Sequence, residues 1–492
     1  MKRALWMGLV FLASCAVGPD FARPEVKPPD AHRGQDKRPE SLADLPWWKV
    51  FKDPVLGAHL QEAVTKGYDV RVAAANVENA RAYQRAAFWA FFPTLGAGVG
   101  FGGGQGFPGV PTIVPANVFN GNVGAYAGAS WEADVWGRLR RQKEAADALV
   151  EASLADQRGA YVALVGDVAS TYLQLRTFDL QATITADAIK AREETLRLFQ
   201  DRAKGGVGND LEVARAEANL ADAQAREENL KRAVFQTENV LGVLLARPPG
   251  PIERGAGLAD FETPPQLPAG LPMSLLAQRP DLLSAEHQLH AATAQVGIKV
   301  GELFPKFQLS GSGGFATDLF AATGMNQGTT AVYRGAVGLE YTLPVLGGAQ
   351  NLAAVDAAWA KVHASAALYE KAATNALKDV SNALVAVEQY RKAREAQERQ
   401  VAALKKTEDL AMMRYRGGVS NYLEVVTAQE QRLLAELALA DAKGAQLQAV
   451  VQLYRALGGG WRTQDAQADG GVPEEKAEEA PPPLPPGADA GR

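Results

Sequence analysis

The sequence predicts a mostly α-helical protein with a membrane β-barrel contribution, and three patterns support this fold class. Two long stretches, 139–203 and 351–416, contain no proline and are rich in alanine, leucine, glutamate, arginine and glutamine, which are strong helix formers. Shorter segments alternate between apolar and polar residues with a period of two, as half-exposed strands do. The same order of segments occurs twice, which predicts two structural repeats.

The repetition has a constant offset along the chain. Phe-Pro-Thr-Leu at 92–95 returns as Phe-Pro-Lys-Phe at 304–307. Gly-Gly-Val-Gly-Asn-Asp-Leu-Glu-Val at 205–213 returns as Gly-Gly-Val-Ser-Asn-Tyr-Leu-Glu-Val at 417–425, so both matches share one offset (304 − 92 = 417 − 205 = 212). Two separated matches at one offset indicate an internal duplication.

Each predicted long helix needs neighbours along its whole length. About 65 helical residues at roughly 1.5 Å per residue reach about 100 Å. Apolar residues from Leu423 to Leu457 recur at helical spacings, and alanine fills many of the positions between them. We expect these long helices to pack against one another along their whole length, and an ordinary antiparallel helical bundle has the same periodicity.

The alternating segments predict two β-hairpins, with strands at about 93–131 and 305–343. Apolar residues share one face of each strand, and mostly small or polar residues share the other, which is typical of outer-membrane strands. Four strands per protomer cannot close a barrel, and open strand edges cannot face lipid. A membrane role therefore requires several chains per barrel, because three chains would supply twelve strands and two would supply eight. The alternative is a pair of hairpins that packs on the helices outside any membrane.

The N-terminal residues predict export and attachment to a membrane. Two basic residues precede an apolar run at 4–13 that is too short to span a bilayer, so residues 1–14 are predicted to be a signal peptide. The run ends in Leu-Ala-Ser-Cys, which resembles a bacterial lipobox, and Cys15 is the only cysteine in the chain. We expect a covalent lipid on Cys15 and a lipid-anchored, extended segment at 15–53.

Composition and the repeat set the remaining boundaries. The predicted units are a first repeat at 54–246, a linker at 247–272, a second repeat at 273–460 and a tail at 461–492. The long helices are predicted at about 138–246 and 350–457. The linker is rich in proline and glycine, and the tail is rich in proline, glutamate and alanine, so we expect the tail to be disordered.

Charge and motifs argue against nucleic-acid binding and enzymatic chemistry. A formal net charge of −5 does not favour a nucleic-acid partner. Residues 98–103 formally match a dinucleotide-binding motif, but glycine and proline follow them where that motif requires a helix. His287 and His290 lie three residues apart, yet no cysteine remains to complete a zinc site with them. We therefore expect no catalytic residue, no metal site and no cofactor apart from the lipid.

Charged residues concentrate beside the two Gly-Gly turns. Asp210 and Glu212 follow the first turn, and Glu424 and Glu430 follow the second. In a rotational oligomer each residue becomes a ring, and acidic rings favour cations. Acidic residues also stabilise helix N-termini, so both capping and gating remain open for Glu212 and Glu424.

Several motifs occur in a specific order between Cys15 and about Gly460. Besides the two Phe-Pro motifs, they are Gly-Pro-Asp-Phe at 18–21, Trp-Trp-Lys-Val-Phe-Lys-Asp-Pro at 47–54, Trp-Glu-Ala-Asp-Val-Trp-Gly at 131–137, Arg-Pro-Asp at 279–281 and Tyr-Arg-Gly-Gly-Val-Ser-Asn-Tyr-Leu-Glu-Val at 415–425. With these motifs the chain resembles the TolC-like outer-membrane factor family. The resemblance is to its lipoprotein branch (OprM/NodT-like), the outer-membrane subunits of RND-type efflux systems.

The resemblance implies an architecture and a function. It implies a homotrimer in which a twelve-stranded outer-membrane barrel stands on a long periplasmic α-helical barrel. Such a trimer is an exit duct that exports drugs or other small toxic solutes across the outer membrane of a Gram-negative bacterium. Its partners would be a periplasmic adaptor (membrane fusion) protein, an inner-membrane pump of the RND type and outer-membrane lipid. The alternatives are a lipid-anchored enzyme, a coiled-coil interaction protein and a lipid-anchored periplasmic adaptor, although no lipoyl-like domain separates the two halves.

The family pattern also implies a periplasmic gate. The implied residues are Leu423, Glu424, Thr427 and Glu430 at the constriction, and Tyr415 and Ser420 at inter-helix ties that face Glu212 in the closed state. Three of these positions depart from the pattern. Thr427 stands where relatives often carry aspartate, Ser420 where some carry arginine, and Glu430 where some carry a basic residue.

Overall fold

The computed structural model describes residues 16–24, 53–102, 122–206, 208–261, 279–318, 329–340 and 349–458. The predicted signal peptide, Cys15, residues 25–52 of the N-terminal segment, residues 262–272 of the linker and the predicted tail lie outside the described residues.

Seven helices and four strands make up the described part of the chain. In chain order they are α1 (Pro54–Lys66), α2 (Tyr68–Trp89), β1 (Thr94–Gly102), β2 (Asn122–Ala133), α3 (Arg138–Lys204), α4 (Asp210–Leu244), α5 (Pro280–Gly301), β3 (Lys306–Asp318), β4 (Thr329–Glu340), α6 (Ala349–Arg416) and α7 (Tyr422–Ala456). The protein is therefore mostly helical, as the sequence predicts.

Two very long helices dominate the structure. Helix α3 has 67 residues and α6 has 68, and their ends lie within two residues of the proline-free stretches. A short turn follows each of them, and a helix of 35 residues comes next in both cases. Gly206 and Gly418 adopt left-handed φ values of 75° and 73° at corresponding positions of these turns. Glycine adopts this conformation at little cost, so both long helices end at a Gly-Gly turn.

The core lies along the middle of α3. This helix packs against α1, α2, α4, α5 and α7, while α6 packs against α5 and α7. Tyr172, Leu173 and Leu175 of α3 are fully buried in the main hydrophobic cluster. Side chains from α1, α7 and the start of the linker complete that cluster, so one helix holds elements of both halves together.

A buried polar network closes one side of this core. The carboxylate of Asp53 accepts hydrogen bonds from the backbone N–H groups of Val55 (2.9 Å) and Leu56 (3.3 Å), which caps α1. The hydroxyl of Tyr172 donates to the same carboxylate (2.8 Å) and accepts from the backbone N–H of Gly255 (2.8 Å). Burial raises the pKa of Tyr172, so the hydroxyl keeps its proton. The network therefore fixes the start of α1 and the start of the linker against α3.

The four strands form one antiparallel sheet in the order β1-β2-β3-β4. Leu95 of β1 lies opposite Ala129 of β2, which lies opposite Gly311 of β3. Directly opposed residues share a face of the sheet. On this face the side chains of Leu95 and Val99 are 82% and 71% exposed, so an apolar surface lies open to the surroundings. Among the described strands, β1 and β4 each pair on one side only.

Within the described residues, none of the helices has the length and apolar character needed to cross a membrane.

The stability of the helical part should depend on the close packing of α3 against α7. A Cβ atom added at Gly444 of α7 would collide with the hydroxyl oxygen of Thr177 on α3. Overpacking of this kind costs about 1–3 kcal/mol. We expect Gly444→Ala to lower the apparent melting temperature of the helical part, measured by circular dichroism.

The double variant Gly444→Ala/Thr177→Ala is the control, because it removes the atom that the new methyl group meets. It should recover part of the loss beyond the sum of the single effects. Simple additivity of the two substitutions would contradict direct contact at this site.

Candidate functional site

The seven residues implied at a gate come together at the ends of the two long helix pairs. Glu212 lies in the first turn of α4, while Tyr415 lies in the last turn of α6. Leu423, Glu424 and Thr427 lie in the first two turns of α7. The candidate site is therefore built from both Gly-Gly turns, far from the sheet along α3 and α6.

An aromatic cluster joins the two helix pairs at this end. The rings of Phe199 (α3) and Tyr422 (α7) meet edge to face with centroids 4.3 Å apart, and Tyr415 lies 5.5 Å from Tyr422. Phe199 and Tyr422 are only 2% and 4% exposed. Burial raises the pKa of Tyr422 to about 12. The sequence analysis missed Phe199 and Tyr422 as site residues, although Tyr422 replaces Asp210 of the first repeat.

Tyr415 has a cationic partner on the neighbouring helix pair. The Arg202 guanidinium of α3 donates a hydrogen bond to the Tyr415 hydroxyl (2.7 Å) and lies over its ring at 5.8 Å. Burial and the negative charge of Glu212 raise the pKa of Tyr415. Tyr415 thus ties α6 to α3, and Glu212 acts on it through its charge.

Glu430 connects the helix pairs at this end through both oxygens of its carboxylate. Arg192 of α3 donates to one oxygen of its carboxylate (2.7 Å), and Arg226 of α4 donates to the other (3.2 Å). The Arg192 side chain is only 7% exposed, and Asp222 of α4 lies 3.7 Å from it. Charge-assisted hydrogen bonds to a buried guanidinium are among the stronger ones in proteins. Glu430 is therefore engaged inside the protomer by two arginines that the sequence analysis did not identify.

The remaining gate residues line an exposed stripe of α7. Leu423 is 46% exposed, and the Glu424 side chain is 51% exposed with one carboxylate oxygen 3.6 Å from Arg414. The Thr427 hydroxyl donates to the carbonyl of Leu423 one turn earlier (2.8 Å). The Ser420 hydroxyl donates to the carbonyl of the next residue, Asn421 (3.4 Å), so this hydrogen bond stays within the turn. The implied gate therefore divides into an exposed stripe and a set of ties behind it.

The described residues contain no cluster of three or more histidine, cysteine, aspartate or glutamate side chains that could hold a metal ion. His290 bonds to Glu144 of α3 (2.9 Å) and stacks on Phe21 (4.6 Å between ring centroids). Its surroundings are those of a packing residue.

Comparisons with known proteins identify the class of this fold. The family model described as outer membrane efflux protein matches residues 59–247 and 271–459. SrpC, a solvent efflux pump outer membrane protein of Pseudomonas putida, is 32% identical over 461 residues, which are 92% of this chain and 97% of SrpC. ArpC, an antibiotic efflux pump outer membrane protein of Pseudomonas putida, is 30% identical over 468 residues, which are 93% of this chain and 95% of ArpC.

A solved structure has the same fold. The open-state crystal structure of the MtrE outer membrane channel of Neisseria gonorrhoeae matches with a TM-score of 0.76 and 30% identity, over 91% of this chain and 98% of MtrE. Long paired helices attached to a sheet with an exposed apolar face thus define an outer-membrane channel. The chain belongs to the outer membrane efflux protein family. It is an outer-membrane channel subunit of an efflux system, its helical part extends into the periplasm, and it is not an enzyme.

Proposed function

We propose that three copies of this chain form a single exit duct with a twelve-stranded barrel. The main support is the sheet, which among the described residues has four strands, an exposed apolar face and two edge strands that pair on one side only. Four strands are too few to close, and barrels of this kind begin at about eight strands. The two family matches support a protomer of two repeats, at 54–246 and 273–460.

The duct works with a periplasmic adaptor and an inner-membrane pump of the RND type. The support is that its relatives SrpC and ArpC are the outer membrane proteins of efflux pumps. The energy for export comes from the pump, because the one formal match to a dinucleotide-binding motif in this chain, at 98–103, lacks the helix that such a motif requires. A lipid on Cys15 anchors each protomer to the outer membrane, and no other cofactor takes part.

Apolar and amphipathic toxic solutes are the exported class. The support is that SrpC is a solvent efflux protein and ArpC an antibiotic efflux protein, both similar to this chain over nearly their whole length.

A deletion strain tested against organic solvents, antibiotics and toxic metal ions measures the substrate class directly. We expect sensitivity to solvents and antibiotics, reversed by the wild-type gene, and unchanged resistance to metals. Sensitivity to metals alone would contradict the proposed substrates.

The gate lies at the Gly-Gly turns, where the ends of both long helix pairs meet. Leu423, Glu424 and Thr427 line the aperture, because they form an exposed stripe at the start of α7. The ties behind the stripe involve Tyr415 and Glu212 at the turns, and Glu430 one helical turn beyond Thr427. Ser420, which the family pattern implies as a further tie, makes a local hydrogen bond in this arrangement. Opening moves α6 and α7 relative to α3 and α4, and partner binding favours the open state.

The charge of Glu424 at the aperture should influence whether the channel favours cations or anions. Glu424 is exposed and would form an acidic ring in the trimer, and acidic rings favour cations. We expect Glu424→Lys to raise the anion-to-cation permeability ratio in planar-bilayer recordings.

Glu228→Lys is the matched control. Glu228 is also an exposed glutamate, but it lies on α4, away from the Gly-Gly turn, and pairs with Lys231. It should leave the ratio unchanged. If Glu424→Lys and Glu228→Lys behave alike, Glu424 does not line the aperture.

The hydrogen bonds of Glu430 with Arg192 and Arg226 should stabilise the closed state of the channel. Hydrogen bonds to charged groups contribute about 1.5–3 kcal/mol, so their loss shifts an open–closed equilibrium roughly tenfold or more. We expect Glu430→Gln to raise the fraction of time that single channels spend open.

Glu436→Gln is the control for this variant. Glu436 bonds to Arg432 within α7, and such pairs contribute only about 0.3–0.5 kcal/mol. An equal open fraction in wild type and Glu430→Gln would rule out the bridge as a tie.

A further inference from the structure

Four neighbouring helices share a furrow that lies outside the candidate gate. Helix α2 packs against α3, α3 against α5, and α5 against α6, so the four helices stand side by side in that order. Residues from all four helices line this furrow, which has a volume of about 760 Å³. Ligand pockets in proteins commonly enclose roughly 300–1,000 Å³. The furrow is therefore large enough to hold a small molecule.

The furrow lies on the concave side of this row of helices. The two outer helices of a row can line one cavity together with the two inner helices only on the side towards which the row curves. In the proposed duct the helices form the wall of a barrel, and the concave side of such a wall is its inner side. The furrow therefore faces the passage along which solutes move.

The two sides of α3 carry different groups at this level. Asp147 lies nine residues before Asp156 (156 − 147 = 9), which is about two and a half helical turns, so the two carboxylates lie on opposite sides of the helix. Asp156 lines the furrow, while Asp147 accepts a hydrogen bond from Gln84 of α2 (2.9 Å) and lies outside the furrow. One helix thus supplies a carboxylate at the furrow and a matched carboxylate away from it.

Three large apolar side chains lie open in the furrow. Val72 and Tyr83 of α2 are 60% and 68% exposed, and Leu149 of α3 is 43% exposed. Buried alanines such as Ala152 and Ala292 also line the furrow, and their small side chains leave space above them. Covering exposed apolar surface with a ligand is favourable, because it removes that surface from water. The furrow therefore favours a molecule with a flat apolar or aromatic body.

Neutral amide groups accompany these apolar side chains. Asn76 and Asn79 of α2, Gln157 of α3 and Gln288 of α5 line the same furrow. A side-chain amide both donates and accepts hydrogen bonds without carrying an ionic charge. Ligand sites typically combine an apolar lining with a small number of such polar groups. The furrow thus suits an amphipathic molecule better than a purely apolar one.

Two carboxylates give the furrow an excess of negative charge. Asp69 of α2 and Asp156 of α3 line it, both are exposed, and neither forms an ion pair within the described part of the chain. Lys361 of α6 also lines the furrow, and it donates a hydrogen bond to the neutral amide of Gln295 (3.1 Å). Opposite charges attract, so an organic cation is the favoured ligand beside these carboxylates.

The carboxylates and the tyrosine lie at different levels of the furrow. Helix α2 runs towards the sheet and α3 runs away from it, and the hydrogen bond between Gln84 and Asp147 fixes their relative positions. At about 1.5 Å per residue, Asp156 lies about 14 Å and Asp69 about 22 Å from this bond, both away from the sheet. Tyr83 lies next to Gln84 in the chain. A ligand can therefore place an aromatic body near Tyr83 and a cationic group nearer Asp156.

We propose that the furrow is a binding site inside the duct for cationic aromatic amphiphiles. The aromatic body of the ligand lies over Tyr83 and Leu149, and its cationic group lies beside Asp156, while Asp69 extends the negative potential further along. The inference rests on the proposed duct, because only a closed barrel makes this side of the helices an inner surface. It names positive charge as the feature that this site prefers among amphipathic solutes.

Binding at this site is weak and reversible. The furrow is open along one side and its carboxylates are exposed, so their attraction for a cation is screened by salt. A conduit requires sites of this kind, because a solute must leave as well as enter.

The test measures the binding of ethidium, a monocationic aromatic dye, to the full-length protein purified from outer membranes in detergent. Fluorescence anisotropy is followed, with empty micelles as the blank. We expect saturable binding that weakens as the salt concentration rises. Asp156→Asn and Tyr83→Ala should each raise the ethidium Kd several-fold, and Asp156→Asn should also reduce the dependence of Kd on salt. Asp156→Glu, which keeps the charge, should bind ethidium like the wild type.

An anionic dye and two variants are the controls. Fluorescein, an anionic aromatic dye, should bind several-fold more weakly than ethidium. Asp147→Asn on the other side of α3, and Tyr390→Ala at an exposed tyrosine of α6 outside the furrow, should leave the ethidium Kd unchanged. Equal Kd values for wild type and Asp156→Asn, or for ethidium and fluorescein, would overturn the proposal.

Single-channel recordings on the same preparation keep the furrow separate from the duct. Absence of saturable ethidium binding in a preparation that still conducts overturns the furrow and leaves the duct standing. Saturable binding by a particle that does not conduct contradicts the duct, and with it the position of the furrow on an inner surface.

Discussion

The centre of a bilayer contains no water, so every backbone N–H and C=O group there needs a partner within protein. In this chain β2 and β3 satisfy that requirement on both sides, whereas β1 and β4 pair on one side only among the described strands. The same sheet exposes a face with Leu95 and Val99 to its surroundings. An apolar face fits lipid, but open edges do not, and in the proposed trimer the neighbouring copies of the chain would pair with these edges.

The helices extend the same requirement away from the membrane. A helix of 67 residues needs neighbours throughout, and α3 finds them in five other helices of the same chain. Close packing depends on small residues such as Gly444, which leaves room for Thr177. Near the turns, polar ties at Tyr415 and Glu430 stand beside a small apolar cluster around Phe199. Connections that depend on a few charged groups can be exchanged for others when a partner binds, and a dry core cannot.

Much of the fold can be predicted from the sequence, because composition and periodicity over neighbouring residues determine the helices and strands. Proline-free composition fixes the two long helices to within two residues, and period-two alternation identifies the faces of the strands. The candidate site can be predicted from the sequence only in part. Glu430 lies 238 residues from Arg192 and 204 from Arg226, and a one-dimensional pattern carries no information about which charges meet across such distances. Phe199 is hidden for a similar reason, since an aromatic residue in a long amphipathic helix looks like any other core position.

The contacts of the N-terminal residues 16–24 could likewise not be predicted from the sequence. The Gly-Pro-Asp-Phe motif at 18–21 is visible in the sequence, but Arg141, which binds Asp20, lies 121 residues away. Gly18 and Gly297 allow two backbones to approach each other closely, and that approach depends on tertiary structure.

The central claim is that one sheet of four strands becomes part of a barrel only in a trimer. The most direct measurement is the mass of the detergent-extracted particle, determined by light scattering with the detergent contribution subtracted. The account predicts a particle of three chains that persists on dilution. A stable particle of one or two chains that still conducts in a bilayer would contradict it.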